Sequence, residues 1–379
     1  MKKILVLGYI IRAPFGGLCF HHLQYLLSLK NLGHEVLFYE DSDDYPGYYN
    51  SQSIEIAKHL GFDFINKLFA YYGLENKWVF FDSGVNVWHG LSRNTFLNFC
   101  SQADIVLNLS GVNVLREWWL KIPVRAFVDT DPVFTQIKNI TDPKFKELAA
   151  AHTCHFSFGE NIGRNTSLVP DDGFDWKETR QPVGIEIWKV ATAVNCGRWT
   201  TVLQWDAYDK CEYSGEIYGM KSASFNNFID LPARTGEKFE LAIKADEKTI
   251  IWLENANWLT VGSLIPTKDS WSYQLYIAES KAEWSIAKQG YVKTRSGWFS
   301  ERSLSYLASG KPVVVENTGF SDFLPVGEGV FCFSTLEEAV EHIARVNKEY
   351  ARQCGNARTF VEEHFEGKSV LMSLLNRLS

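Results

Sequence analysis

The chain has 379 residues, of which 46% are hydrophobic and 22% charged, a globular composition that excludes a disordered or fibrous protein. This length predicts two domains, because a single hydrophobic core rarely grows beyond about 250–300 residues. A formal net charge of −7 argues against a general nucleic-acid-binding protein, which would present a basic surface.

The N-terminal segment and the cysteines indicate a cytoplasmic protein. Residues 4–7 are apolar but are followed at once by Gly8 and a polar loop, which predicts a buried first strand and no signal peptide. The sequence contains no run of 18 apolar residues, so no membrane-spanning helix is predicted. The seven cysteines are scattered without a CxxC pair, which favours reduced thiols and predicts no metal site.

The first half of the chain alternates short apolar runs with helical patterns. Strands are predicted at residues 3–7, 35–39, 104–109, 124–129 and 155–158. The leucines of residues 18–31 recur at helical spacing, and Gly33 ends that helix. Strands that alternate with helices predict a mostly parallel, doubly wound sheet with helices on both faces.

The same alternation restarts after a polar linker at residues 164–182. Strands are predicted at residues 199–204, 239–243, 258–263, 291–294, 312–315 and 330–333. Helices are predicted at residues 223–229, 273–288, 301–309, 336–350 and 351–364. The fold class is therefore α/β, with two Rossmann-like domains facing across a cleft that is the expected site.

A glycine pair precedes the first helix. Gly16 and Gly17 would let an anionic ligand approach a helix N-terminus, where the helix dipole favours negative charge. The loop lacks both GxGxxG and GxxxxGK[ST], so NAD or FAD binding is weakly supported and a P-loop is excluded. A loop that needs glycine for geometry alone stays open as the alternative.

A second loop-to-helix junction lies at residues 295–315. Ser300 is placed to cap the helix that follows, and the backbone N–H groups of Phe299–Arg302 would cradle a phosphate. The Arg302 guanidinium would add a bidentate contact, so its replacement by alanine should weaken diphosphate binding. Thr318 and Gly319 follow the next predicted strand and would line the same site.

These residues carry a family resemblance. The run Ala308-Ser309-Gly310-Lys311-Pro312-Val313-Val314 is similar to the donor-binding region of glycosyltransferases with the GT-B fold. The similarity continues through residues 327–330 and 336–339 and includes the Gly16-Gly17 loop and residues 29–36. The resemblance implies an acceptor-side domain at residues 1–180, a nucleotide-sugar domain at 181–355, and closing helices at 356–379 that pack back toward the N-terminal domain.

The resemblance also implies an activity, the transfer of a sugar from a nucleotide-diphosphate donor to a glycan or small-molecule acceptor. Such enzymes usually need neither a metal nor a cofactor, since helix N-termini and basic side chains neutralise the diphosphate. The donor-binding residues implied or predicted here are Gly16, Gly17, Lys221, Gly297, Trp298, Phe299, Ser300, Glu301, Arg302, Thr318 and Gly319. Lys221, which precedes a predicted helix, is the second diphosphate contact; a solvated surface lysine is its alternative.

One departure from the family pattern concerns two glutamates that many retaining members carry in this region. Alignment on Ala308-Ser309-Gly310 places Gly297 and Ser305 at those positions. Glu301, one helical turn before Ser305, could reach the donor ribose instead. The stereochemistry and the nucleotide base therefore stay open.

Four acidic or imidazole residues of the first half are candidates for the catalytic base, namely Asp129, Asp131, Glu160 and His22. His21 is adjacent to His22 in the first helix, and one of these two histidines is expected to face the cleft while the other packs. An inverting transfer needs such a base near the acceptor hydroxyl. The alternative for Asp129 and Asp131 is that they cap the helix beginning near Pro132. Residues 45–49, rich in tyrosine, lie where this fold varies for acceptor choice.

Two other functions fit the same fold. A non-hydrolysing nucleotide-sugar epimerase also uses two such domains. A binding protein that has lost turnover would explain the missing glutamate pair. The sequence assigns no oligomeric state.

Overall fold

The computed structural model describes residues 1–42, 54–114, 116–192 and 197–378, without the side chains of residues 54–58. The tyrosine-rich residues 45–49 therefore lie outside the described part. Each half of the chain forms one parallel sheet covered by helices.

The N-terminal sheet has eight strands in the order β4-β3-β2-β1-β5-β6-β7-β8, and every neighbouring pair is parallel except β3 and β4. Its strands are β1 Lys3–Leu7, β2 Glu35–Asp41, β3 Trp78–Asp82, β4 Val87–Gly90, β5 Ile105–Leu109, β6 Val124–Asp129, β7 Cys154–Ser157 and β8 Trp176–Glu178. Its helices are α1 Gly16–Asn31, α2 Ile54–Tyr71, α3 Arg93–Gln102, α4 Glu117–Leu120, α5 Phe134–Thr141 and α6 Pro143–Ala150. The central strands β1 and β5 are mostly apolar and almost entirely buried because helices cover both faces.

The C-terminal sheet has six parallel strands in the order β13-β12-β9-β14-β15-β16, and β10 and β11 form a separate hairpin. The strands are β9 Trp199–Gln204, β10 Cys211–Tyr213, β11 Glu216–Tyr218, β12 Phe239–Lys244, β13 Leu259–Gly262, β14 Ala282–Ser285, β15 Val313–Glu316 and β16 Val330–Phe333. The helices are α7 Ser222–Phe225, α8 Leu231–Thr235, α9 Glu247–Asn255, α10 Leu264–Thr267, α11 Ser270–Glu279, α12 Gln289–Lys293, α13 Glu301–Ala308, α14 Leu336–Lys348, α15 Tyr350–His364 and α16 Gly367–Asn376.

The sequence-based prediction was wrong at three places. The predicted helix at residues 273–288 is the end of α11 followed by the core strand β14, and the predicted strand at 291–294 is mostly α12. Residues 282–285 alternate apolar and polar side chains as a strand does, and all four are buried, but the prediction extended the preceding helical pattern through them. The predicted linker contains the short edge strand β8.

Each sheet has one point where the strand order reverses, between β1 and β5 and between β9 and β14. Ligands of open parallel sheets bind beyond the carboxyl ends of the strands at such a switch point. The loops after β9 and β14 are therefore the places where the fold positions a ligand in the C-terminal half.

The two halves contact each other along helix α1, which packs on α11 and on the C-terminal helix α16. A Cβ atom on Gly16 would lie 2.2 Å from the carbonyl oxygen of Asp269 just before α11, so only glycine permits this approach. Arg377, just after α16, binds the side chain and carbonyl oxygen of Glu178. The closing helices thus pack back toward the N-terminal domain, as expected.

Candidate functional site

Lys221 lies in the connection that follows β9, after the β10–β11 hairpin and directly before α7. Its side chain is half-buried, and its amine forms no hydrogen bond with any residue that the structure describes. Burial, together with the nearby cations of Arg302 and Lys288, lowers the pKa of Lys221 to about 7. The carboxylates of Glu301 and Asp131 act in the opposite direction on this pKa. A cation left without a partner at the switch point is suited to bind an anion.

The N-terminus of α13 forms the opposite wall of the site. Ser300 caps this eight-residue helix, and its Oγ accepts a hydrogen bond from the Arg302 N–H at 3.3 Å. The N–H groups of the first turn have no acceptor within the helix, and the helix dipole makes this end positive. The predicted loop-to-helix junction is therefore present.

Gly297 lies in this loop with a φ of +81°, which favours glycine. A Cβ atom there would lie 2.8 Å from the backbone nitrogen of Asn161, which belongs to the other domain. Gly319 likewise faces Asn161, whose Nδ2 donates to the Gly319 carbonyl oxygen at 3.1 Å. These two predicted donor-binding glycines thus bring the two domains into contact.

Arg302 is oriented differently from the prediction. Its Nε donates to Glu283 Oε1 at 2.5 Å, its Nη1 donates to the Val202 carbonyl oxygen at 3.0 Å, and its Nη2 donates to Ser285 Oγ. All three nitrogens are therefore bound inside the C-terminal domain. The guanidinium therefore holds the elements of this wall together. Its nitrogens are not oriented for the bidentate contact with a phosphate that the sequence predicted.

A narrow cavity lies between the ends of β14 and β15 and the first turn of α13. It has a volume of about 10 Å³, room for about one water molecule. It is lined by Ser285, Ile286, Ala287, Trp298, Phe299, Ser300, Arg302, Ser303, Val315, Glu316, Thr318 and Phe320. Four of the predicted donor-binding residues besides Arg302 therefore meet here: Trp298, Phe299, Ser300 and Thr318.

Glu316, the last residue of β15, is a cavity residue that the sequence analysis missed. Its side chain is almost fully buried, and its Oε2 accepts a hydrogen bond from the Ala287 N–H at 2.9 Å. Burial raises the pKa of Glu316 to about 7, although the Ala287 N–H and the Lys221 charge oppose the rise. The available signal was an acidic residue at the end of an apolar strand.

Asp131 is the predicted catalytic residue that the structure places against the C-terminal domain. Its carboxylate accepts hydrogen bonds from Lys288 Nζ at 2.7 Å, from the Tyr208 hydroxyl at 2.5 Å and from the Tyr291 hydroxyl. Val133, two residues later, has a φ of +74°, which is strained for a β-branched residue. The loop after β6 thus brings an N-terminal carboxylate to the edge that holds Lys221.

Asp129, which was predicted to face the cleft, lies inside the N-terminal domain. It is fully buried, and its carboxylate accepts four hydrogen bonds, from the Asp131 N–H and from the side chains of Thr135, Gln136 and Ser157. Burial raises the pKa of Asp129 to about 6, and these hydrogen bonds oppose the rise. Asp129 therefore ties the loop to α5 and β7 and does not face the cleft.

His22 and Glu160 are also held inside the protein. His22 is fully buried, and its Nε2 accepts a hydrogen bond from the Tyr9 N–H at 3.2 Å. Glu160 forms a two-pronged ion pair with Arg180, at 2.6 and 3.0 Å. Neither side chain is free to reach an acceptor in this structure.

His21 is the histidine on the side of α1 that faces the other domain. Both of its ring nitrogens are buried without a hydrogen-bond partner among the described residues, while Gln181 lies beside the ring. Burial lowers the pKa of His21, and the Glu301 carboxylate across the domain boundary opposes the shift. Helical spacing could not distinguish His21 from His22, because adjacent residues point about 100° apart.

Gly17 completes the predicted set. A Cβ atom there would lie 3.3 Å from the ring of Tyr273 in α11, so Gly16 and Gly17 both serve the contact between α1 and α11. No group of three or more histidine, cysteine, aspartate or glutamate side chains within the described ranges is placed to hold a metal ion. In those same ranges, every helix is too short or too polar to cross a membrane.

Comparisons with known proteins identify the fold. No protein-family model and no curated protein matches the chain. Among solved structures, the chain is similar over its whole length to an alpha-glucosyltransferase (AGT) in complex with UDP, with 12% identity, coverage of 100% of that chain and a TM-score of 0.60. Sucrose-phosphate synthase from Thermosynechococcus elongatus is similar at 10% identity, with 98% of that chain covered and a TM-score of 0.59.

A third similar structure is HepE from Anabaena in complex with UDP and glucose, at 11% identity, with 100% of this chain and 99% of that chain covered and a TM-score of 0.55. These structures are glycosyltransferases of the GT-B fold. The predicted fold class, two Rossmann-like domains of the GT-B type, is confirmed.

Proposed function

We propose that the chain is a glycosyltransferase that binds a nucleotide-diphosphate sugar at the carboxyl edge of its C-terminal sheet. The observation that carries this proposal is the unpartnered amine of Lys221 opposite the N-terminus of α13. The GT-B fold supports it, because similar structures of this fold are complexes with UDP, with UDP-glucose, or with UDP and glucose.

The reaction breaks the bond between the anomeric carbon and the diphosphate oxygen and forms one to an acceptor oxygen. The acceptor hydroxyl loses its proton, either to a carboxylate on the acceptor side or to the departing diphosphate. The leaving nucleoside diphosphate gains negative charge in the transition state, where fixed dipoles and cations are most effective. In our proposal Lys221 and the first-turn N–H groups of α13 bind this charge. The proposed transfer therefore uses charges of the chain itself and needs no metal.

Arg302 has a supporting role in this proposal. Because its nitrogens are bound to Glu283, Val202 and Ser285, it holds β14 and α13 at a fixed spacing. The α13 N-terminus then keeps its orientation toward Lys221. Arg302 acts through the position of these elements and not through contact with the diphosphate.

The acceptor is proposed to enter from the side of Asp131. Among the four candidate bases this carboxylate is the one placed against the C-terminal edge, 2.7 Å from Lys288 Nζ. One similar AGT structure contains DNA, but the net charge of −7 of this chain favours a glycan or a small molecule over a nucleic acid.

A panel of UDP-, GDP- and dTDP-sugars tests the proposal by isothermal titration calorimetry and by product analysis with and without candidate acceptors. We expect one base to bind, and Lys221→Met to weaken that binding about 10- to 100-fold, as for a lost charged hydrogen bond. Lys348→Met, which removes an exposed lysine of α14, is the matched control and should bind like the wild type.

Four results would contradict the proposal. Absence of binding to every nucleotide sugar would overturn the donor site, and wild-type affinity of Lys221→Met would remove Lys221 from it. An epimerised sugar as product would instead identify an epimerase, and tight binding without turnover on any acceptor would identify a binding protein.

A further inference from the structure

The cavity beside the proposed diphosphate site contains two polar side chains whose hydrogen bonds are incomplete. Glu316 uses Oε2 to accept from the Ala287 N–H, and no lysine, arginine or histidine of the described residues forms an ion pair with it. The Ser303 hydroxyl is fully buried and has no hydrogen-bond partner among the described residues. Both residues line the same cavity.

Leaving such groups unpaired is costly. A buried hydroxyl without a partner loses its bonds to water and gains none in return. In natural proteins unpaired groups of this kind deserve a specific explanation, and a ligand that completes their hydrogen bonds is one.

The surroundings indicate what kind of ligand completes them. The side chains of Ser285, Ser300 and Thr318 add hydroxyl groups to the wall, and the rings of Trp298 and Phe299 add flat apolar surface. A carboxylate accepts hydrogen bonds from hydroxyl groups, a serine hydroxyl can donate or accept, and an aromatic face packs on the C–H side of a ring. This combination suits a ring that carries hydroxyl groups.

We propose that Glu316, assisted by Ser303, binds a ring hydroxyl of the donor at this cavity and thereby selects the donor. The inference rests on the proposed function, because it takes the diphosphate to lie between Lys221 and the α13 N-terminus. From that position one end of the donor extends over β14 and β15, where Glu316 ends its strand. Glu316 then takes the hydroxyl-binding role that the sequence analysis gave to Glu301.

The small volume of the cavity constrains how the ring enters. With room for about one water molecule, it accepts a ring only if the α13 loop or the Thr318–Gly319 loop moves outward. Thr318 Oγ1 donates to the Trp298 carbonyl oxygen at 2.5 Å and holds these loops together. Opening this contact uncovers Glu316 and Ser303 together.

Two rings of a nucleotide sugar carry hydroxyl groups, the ribose and the transferred sugar, and a cycle of variants and analogues distinguishes them. Dissociation constants are measured for UDP against 2′-deoxy-UDP, and for UDP-glucose against its 2-deoxyglucose counterpart, with guanosine donors replacing uridine donors if GDP binds better. Wild type, Glu316→Gln and Ser303→Ala are compared. Glutamine keeps an oxygen for the Ala287 N–H, so the fold is preserved.

We expect the wild type to lose about 10- to 100-fold in affinity when the bound hydroxyl is removed, the value of a hydrogen bond to a charged group. Glu316→Gln should bind the parent ligand about 10-fold more weakly than the wild type does. Removing the same ligand hydroxyl should then weaken binding to Glu316→Gln by less than about threefold. The pair of ligands that shows this coupling identifies the ring. Glu341→Gln, an exposed glutamate of α14, is the matched control and should behave as wild type.

Equal weakening of every ligand by Glu316→Gln would show that Glu316 is only structural, and unchanged affinities would show that it does not contact the donor. Either result overturns this inference while the proposed function stands. If the wild type binds none of the nucleotides, the proposed function itself fails. Thermal unfolding of each variant confirms that the compared proteins are folded.

Discussion

Charged side chains at the carboxyl edges of the two sheets differ in how fully they are hydrogen-bonded. At the N-terminal edge, Glu40 accepts hydrogen bonds from the backbone of Ile10, Ile11 and Arg12 and from the Arg12 guanidinium. Asp129 at the same edge accepts four hydrogen bonds. At the C-terminal edge, by contrast, Lys221 has no hydrogen-bond partner among the described residues, and Glu316 has one.

This contrast separates structural charge from functional charge. A buried charge that is fully hydrogen-bonded stabilises the arrangement around it, and its removal chiefly affects folding. A charge left without a partner stabilises nothing in the free protein but is ready to bind a ligand of the opposite sign or with suitable hydroxyl groups. Substitutions at the N-terminal edge should therefore change mainly the stability of the protein, and substitutions of Lys221 or Glu316 should change mainly its affinity for the donor.

Arg302→Ala is expected to have the largest effect, and on stability. The substitution leaves the Glu283 carboxylate, whose side chain is 0% exposed, without its ion-pair partner. Breaking a buried pair in this way costs about 3–5 kcal/mol, measurable as a lower free energy of unfolding in urea. The double variant Arg302→Met with Glu283→Gln carries no unpaired charge and should recover part of the loss. A loss below about 1 kcal/mol in the single variant would contradict the bracing role of Arg302.

Asp129→Asn should destabilise the protein by about 1–3 kcal/mol. The asparagine amide nitrogen is itself a hydrogen-bond donor and would face the donors from which the Asp129 carboxylate now accepts hydrogen bonds. Its affinity for the nucleotide donor should equal that of the wild type, since Asp129 lies inside the N-terminal domain. Urea unfolding and calorimetric titration measure the two quantities, and the exposed Asp63→Asn is the control. Weaker donor binding with unchanged stability would place Asp129 in the site after all.

A further predicted effect is a pH dependence of donor affinity. The pKa of Lys221 in the free protein is lowered to about 7, so above that pH donor binding must return a proton to the amine. The dissociation constant should rise by up to about tenfold per pH unit between roughly pH 7 and 9, and Lys221→Met should abolish this slope. A slope of the wild type that persists in Lys221→Met would assign the titration to another group.

The same shift has a consequence for stability with a defined sign. A lysine whose folded pKa lies below its unfolded value costs stability wherever both states are protonated, that is below about pH 7. The cost disappears as the pH rises toward 10.5, because the folded protein has already released the proton that the unfolded chain still holds. The free energy of unfolding of Lys221→Met should lack this rise.

Much of the fold followed from local signals. Apolar runs such as residues 3–7 and 330–333 predicted β1 and β16, and the Ser300 cap marked the start of α13. Residues 282–285 were missed because this four-residue strand is short and follows directly on a helical pattern, which the prediction extended through it. The sequence pattern predicted a donor site near α13. It did not predict the pairing of Arg302 with Glu283, because that pair depends on the packing of α13 on β14.

The alternation of apolar and polar residues, which reflects the periods of strand and helix, by itself determined two parallel α/β halves and the loops between them. Only the tertiary structure decided which charged residues are satisfied. Asp129 and Asp131 are two residues apart in the same loop, yet one is enclosed in its own domain and the other binds Lys288, 157 positions away. Such pairings depend on which strands become neighbours, so no local pattern encodes them.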